Sequence, residues 1–125
     1  MAWRKLPLFQ AHGIFRLHSG EISTFMINCE ALTYKSLEAI AQELYVLLPG
    51  FGSVEGVPRG GLRLAKAMKR YVTEGPLLIV DDVYTTGRSL EEHRAGREAI
   101  GAVIFARKSI DLPWVRAFME MRGKR

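Results

Sequence analysis

Asp81 and Asp82 stand side by side at the end of an apolar run, Leu77-Leu78-Ile79-Val80, and the chain continues Val83-Tyr84-Thr85-Thr86-Gly87-Arg88-Ser89. The Thr-Thr-Gly-Arg-Ser turn offers backbone N–H groups, three hydroxyls, a guanidinium and the start of a helix, a set that suits a phosphate monoester. Two carboxylates one step upstream would repel that phosphate, so they address neutral hydroxyls or a divalent cation. A phosphate beside a diol describes a ribose 5-phosphate. Thr and Ser are ordinary helix caps. A cap accounts for one hydroxyl, not for the acidic pair and the arginine together.

A second stretch of the same grade is Gly56-Val57-Pro58-Arg59-Gly60-Gly61. Glycines let the backbone approach a ligand closely, and their N–H groups favour an anion. Arg59 adds a guanidinium able to grip phosphate through two hydrogen bonds. A third is Arg107-Lys108-Ser109, which directly follows an apolar run; one of its cations is read as solvated and the other stays open. Trp114 either packs in a short amphipathic segment or stacks on a base, and packing is the commoner use of such a residue. His12, His18 and His93 lack ligand spacing and read as surface or pocket-rim groups.

The elements that must carry these groups follow from periodicity. Residues 1–13 read as irregular. The segments 14–18 and 24–29 alternate as strands around a Ser19-Gly20-Glu21 turn, predicting a hairpin. Leu37, Ile40, Ala41, Leu44 and Leu48 fall at helical spacing and predict a helix over 34–48, stopped by Pro49-Gly50. A short strand over 53–57, a helix to about Val72, a strand over 77–82, a largely charged helix over 88–98 and a strand over 102–106 follow. Pro113 opens a last predicted helix with Trp114, Val115, Phe118 and Met119. Alternation of this kind predicts an α/β fold: an open, mainly parallel sheet with right-handed crossovers and flanking helices, preceded by the N-terminal hairpin. Its ligand edge is where strands end and helices begin, which brings loops 57–61, 81–89 and 107–109 together.

With 125 residues the chain is read as one domain, an N-terminal hairpin segment over 1–30 and a core over 31–125. No stretch reaches the ~20 apolar residues of a membrane span. A single cysteine, Cys29, forms no internal disulfide, and a cytoplasmic setting is the expectation. The net charge of +5 suits a nucleic acid or a small polyphosphate substrate equally. Its basic residues form no long tract interleaved with aromatics, so no nucleic-acid partner is expected.

The run from Leu77 to Ser89 resembles the phosphoribosyl pyrophosphate (PRPP) motif of the type I phosphoribosyltransferases, with Asp81, Asp82, Thr85, Thr86, Gly87 and Ser89 in register. Val57–Gly61 is similar to that family's pyrophosphate loop, which often holds a strained or cis peptide. Residues 15–28 are similar to the N-terminal segment of the orotate members. The resemblance implies Mg²⁺, with PRPP as co-substrate, and a nucleobase acceptor; the sparsely apolar helix over 88–98 and the hairpin add a homodimer as the expected assembly. The resemblance further implies Asp81 and Asp82 as catalytic and as metal contacts through water. Tyr84, Thr85, Thr86, Gly87, Arg88 and Ser89 would hold the 5-phosphate, and Val57, Pro58, Arg59, Gly60 and Gly61 the pyrophosphate. His18, Phe25 and Lys108 are placed in the base pocket.

Departures from the family pattern matter as much. Orotate members carry lysine, arginine and an aromatic where His18, Glu21 and Met26 stand, and an arginine for the orotate carboxylate where Glu91 stands. The family also inserts a strand and a flexible catalytic loop where this chain has only residues 71–76. The expected function is transfer of ribose 5-phosphate from PRPP to a base with release of pyrophosphate. Alternatives are a PRPP- or nucleotide-binding regulator without turnover, told apart by binding without pyrophosphate release, and a nucleic-acid binder, told apart by steeply salt-dependent binding.

Overall fold

The structure is a computed structural model that describes residues 9–10, 15–16, 22–23, 26–27 and 29–121. Four two-residue strands come first: β1 (Phe9–Gln10), β2 (Phe15–Arg16), β3 (Ile22–Ser23) and β4 (Met26–Ile27). β2 pairs antiparallel with β3, and β1 pairs antiparallel with β4 around them. A β2–β3 hairpin is present, but the expected return strand over 24–29 does not pair with β2: its residues 26–27 pair instead with residues 9–10, expected to be irregular, in a separate two-stranded sheet.

A 3₁₀ turn at Cys29–Ala31 leads into α1 (Tyr34–Leu47), whose Thr33 cap accepts a hydrogen bond from Ser36 N–H at 3.1 Å. Then follow β5 (Ser53–Gly56), α2 (Leu62–Met68), a 3₁₀ turn (Lys69–Tyr71), β6 (Leu77–Tyr84), α3 (Arg88–Arg94), β7 (Ala99–Ala106) and β8 (Val115–Glu120). The last four strands form one parallel sheet in the order β5-β6-β7-β8.

Two layers cover this sheet. Leu37, Ile40, Ala41 and Leu44 of α1 and Leu64, Ala65, Ala67 and Met68 of α2 pack with Leu78, Val80, Ala102 and Ile104. On the other face Leu90 of α3 packs with Ile79, Tyr84, Val103 and Val115, joined by Ile110, Leu112 and Trp114. α2 thus crosses from β5 to β6 over one face, and α3 crosses from β6 to β7 in the same direction over the other. Two such crossovers are of opposite hand, so the expectation of right-handed crossovers throughout fails at one of them.

The expected last helix is a strand, β8. Its residues Val115, Phe118 and the preceding Trp114 suit a pleated surface, and pairing from Gly101↔Val115 to Ala106↔Glu120 satisfies the otherwise open flank of β7. Helix α3 stops at Arg94 rather than 98, because Ala95 (φ 53°) and Gly96 (φ 77°) turn left-handed there. β6 runs on to Tyr84, two residues past the expected end, because Asp81, Val83 and Tyr84 still pair with Val103, Phe105 and Ala106.

Candidate functional site

The site is built on a step in the sheet. β5 ends with Gly56 opposite Val80, whereas β6 continues for four more residues beside β7. Residues 57–61 therefore lie alongside the overhanging end of β6 rather than beyond it. Val57 N–H donates to the Val80 carbonyl at 2.8 Å, and Gly61 N–H to Val57 at 2.8 Å. A side chain on Gly60 would collide with the Asp82 carboxylate, and one on Gly61 with the Val80 carbonyl. Glycine is required at both positions because the loop is pressed against the acidic pair. The peptide between Pro58 and Arg59 is cis, and Arg59 is exposed.

The acidic pair sits inside the strand. Asp81 is buried and Asp82 half-buried. Each carboxylate accepts the next residue's backbone N–H: Asp82 N–H donates to Asp81 at 2.8 Å and Val83 N–H to Asp82 at 2.7 Å. Both residues lie past the last residue of β5, and each carboxylate serves the backbone of its own strand. Burial first, and then the neighbouring Asp82 charge, push the Asp81 carboxyl up to about 8. Cys29 is buried beside the pair, its thiol donating weakly to the Asp82 carbonyl at 3.9 Å. Burial, helped by both aspartates, raises that thiol to about 12. Arg63, just past the 57–61 loop, donates to the Leu32 carbonyl at 2.8 Å and ties α2 to the segment carrying Cys29.

Thr85, Thr86 and Gly87 turn the chain from β6 into α3. Gly87 is left-handed (φ 84°), and a Cβ there would meet Leu112 Cδ1 at 2.7 Å and Tyr84 Cε2 at 2.9 Å. The Thr86 hydroxyl accepts a hydrogen bond from Arg88 N–H at 3.2 Å. Asp81, Val83, Tyr84, Thr85, Gly87, Arg88, Ser89 and Leu90 line one concavity. The structure thus gathers Asp81 and most of the expected phosphate residues in one concavity, while Asp82 lies against Gly60 of the 57–61 loop.

Two expected phosphate side chains are occupied otherwise. Tyr84 is 1% exposed, and its hydroxyl donates to the Asp111 carboxylate while accepting Asp111 N–H at 3.3 Å. Burial first, then Asp111, raises the phenol to about 12. Only the Tyr84 backbone is left for a phosphate; its side chain anchors the 107–114 crossover. Arg88 is exposed and pairs with Glu92 at 3.2 Å.

Lys108 is exposed at the end of β7, on the same edge. Trp114 is a packing residue: it covers Gly101, and Arg94 lies 4.8 Å over its ring. Glu91 pairs with that same Arg94 at 2.7 Å. His18 and Phe25, expected in the base pocket, lie outside the described residues. Asp111 was not singled out from the sequence. An acidic residue in an eight-residue stretch between two apolar runs gave no periodic signal.

Among the described residues, no helix is long and apolar enough to cross a membrane. No protein-family model and no curated protein matches this chain by sequence. Solved structures do match by shape. Orotate phosphoribosyltransferase from Mycobacterium tuberculosis superposes with a TM-score of 0.62 at 17% identity over 89% of both chains. The Aeropyrum pernix orotate phosphoribosyltransferase gives 0.64 at 21% identity over 88% of this chain and 86% of that one. UMP synthase from Leishmania donovani gives 0.72 at 20% identity, over 91% of this chain but 34% of the longer protein. A strand–loop edge carrying Gly60–Gly61, Asp81–Asp82 and Thr85–Gly87 on a four-stranded parallel sheet is, in its architecture, the type I phosphoribosyltransferase fold.

Proposed function

We propose that this chain binds PRPP with Mg²⁺ and transfers its ribose 5-phosphate to a nucleobase, releasing pyrophosphate. The observation that carries this reading is the packing of Gly60 against the Asp82 carboxylate, with the Thr85–Gly87 turn on the same edge. That arrangement supports reading 57–61 and 85–89 as anion-binding loops on either side of a diol-binding pair.

The 85–89 turn would hold the 5-phosphate through its backbone N–H groups and the hydroxyls of Thr85, Thr86 and Ser89. Gly60, Gly61 and the Arg59 guanidinium would hold the pyrophosphate. Asp82, the more accessible carboxylate, would accept from the ribose hydroxyls. The bond from C1 to pyrophosphate breaks, its electron pair leaving with the pyrophosphate, and a ring nitrogen of the base forms the new bond as it sheds its proton. Asp82 would offset the positive charge growing on the ring. Positioning and electrostatics are the protein's main contribution.

The donor set fits Mg²⁺. Among the described residues no group of three or more His, Cys, Asp or Glu forms an all-protein cage. Mg²⁺ typically needs only one or two carboxylates beside substrate phosphates and water, which Asp82, the more accessible of the pair, would supply. When bound, the ion neutralises pyrophosphate charge.

A second reading, PRPP binding without turnover, is favoured by the path between α2 and β6. Residues 72–76 are held short against the start of β5, with Thr73 N–H donating to Phe51 at 2.9 Å and Gly52 N–H to Pro76 at 2.9 Å. That connection has no length to fold over the site, and covers exclude water from such reactions. The test is pyrophosphate release from PRPP and Mg²⁺ with orotate, uracil, adenine, hypoxanthine, guanine and xanthine, alongside Asp82→Asn. Base-dependent release lost in the variant establishes the transferase. PRPP binding with no release for any base establishes the regulator, and absence of binding overturns both.

A further inference from the structure

Helix α3 carries the 85–89 turn at its start, yet it has seven residues and a single fully buried side chain, Leu90. One apolar anchor does not fix the direction of a two-turn helix. The second anchor is polar and lies at its other end. Arg97, three residues past the helix, donates to the His93 carbonyl at 2.9 Å and through Nε to the Arg94 carbonyl at 2.9 Å. It thereby satisfies carbonyls that a helix end leaves without partners.

The same guanidinium grips Glu55 with two hydrogen bonds, Nη1 to Oε2 at 3.1 Å and Nη2 to Oε1 at 3.0 Å. The His93 ring adds a third contact to Glu55 Oε1 at 2.9 Å. Glu55 is the next-to-last residue of β5, immediately before Gly56 and the 57–61 loop. Arg97 holds the Glu55 carboxyl below the usual carboxylate range.

We propose that Glu55, with Arg97 and His93, is a positioning device that fixes the angle of α3 and so holds the 85–89 turn in register with the 57–61 loop. Its consequence for ligand binding rests on the function proposed above; its consequence for the free protein does not. Carboxylate–guanidinium pairs with two bonds are directional as well as attractive, and a network is worth more than a single exposed pair. None of the three side chains touches the expected ligand, so the effect is transmitted through backbone.

The test has two arms. In the free protein, Glu55→Gln should speed amide hydrogen exchange in residues 85–91 by roughly three- to tenfold, leaving the amides of β6 and β7 unchanged. Arg97→Met should do the same, and adding Glu55→Gln to it should change little further, since both break one device. Glu55→Gln leaves the Arg97 contacts to the helix carbonyls in place, so it decides alone if Arg97→Met unfolds. In the second arm, PRPP–Mg²⁺ affinity should fall by a similar factor in Glu55→Gln. Unchanged exchange at 85–91, or fully additive effects, overturns the proposal. Altered exchange with no PRPP binding by the unaltered protein upholds the device and overturns the proposed function instead.

Discussion

Replacing Asp81 by Asn should stabilise the protein, and increasingly so as pH rises. Asp81 is 7% exposed, and its one clear hydrogen bond is as acceptor from Asp82 N–H at 2.8 Å, a role an amide oxygen fills equally. Burial, and then the charge of Asp82, push the carboxyl from 3.8 to about 8. The folded chain therefore keeps this proton to higher pH than the unfolded chain, whose carboxyl loses it near pH 4. Its contribution to stability is fully present below about pH 4, declines as pH rises, and levels off above about pH 8. A displacement of that size in an isolated group corresponds to about 5 kcal/mol. Relaxation of the surroundings around a buried charge reduces this to about 2–3 kcal/mol. Asn has no proton to lose. Urea unfolding of the two proteins should thus coincide near pH 4 and diverge by about 2–3 kcal/mol at pH 8, the variant being the more stable. Parallel pH curves, or a variant weaker at pH 8, would refute the reasoning. The same variant should lose transferase activity if the pair handles the ribose hydroxyls.

Gly60→Ala places a methyl into the Asp82 carboxylate; PRPP–Mg²⁺ affinity by calorimetry should drop by about tenfold or more, with little change in β6–β7 exchange. Tyr84→Phe removes the hydroxyl that Asp111 shares twice; it should cost about 1 kcal/mol in urea unfolding and loosen residues 107–114 in hydrogen exchange. Cys29, with its thiol at about 12, should react with iodoacetamide at pH 8 roughly a hundredfold or more slowly than a free cysteine, the difference vanishing in urea. Leu44→Ala empties a fully buried position between α1 and the sheet and should cost about 2–5 kcal/mol.

Chemistry-bearing turns were legible in the sequence because residue type fixes what they can do. Asp81-Asp82 and Thr85-Thr86-Gly87 lie on one edge as expected, and Gly60 touches that edge for a steric reason the pattern hinted at. Tyr84 was not legible as a core residue. It follows a hydroxyl-rich motif in one direction and a strand in the other, and only pairing with Ala106 decides that the strand wins. β8 was missed because Trp114, Val115, Phe118 and Met119 satisfy helical spacing as well as a pleat. The choice was made by the unpaired flank of β7, a demand from elsewhere in the chain. The Glu55–Arg97 contact joins residues 42 apart, and local periodicity carries no information at that distance. The overrun of α3 was avoidable, since Gly96 is an ordinary stop signal.

Opposite-handed crossovers bear on how this site could be given a cover. Among the described strands β5 pairs with β6 alone, so its outer side is an edge. The chain leaves α2, passes the start of β5 through residues 72–76, and returns inward to β6. A segment grafted between Tyr71 and Leu77 could instead lay a strand along that outer side, parallel to β5. The crossover through α2 would then run outward over its own face and take the same hand as the one through α3. Being parallel to β5, the new strand would finish level with Gly56, where the 57–61 loop begins and Asp82 is only half-buried. A hairpin inserted at Thr73–Gly75 is therefore the most direct graft: it starts at the far end of the sheet, follows an edge already prepared for pairing, and delivers its tip beside Gly60.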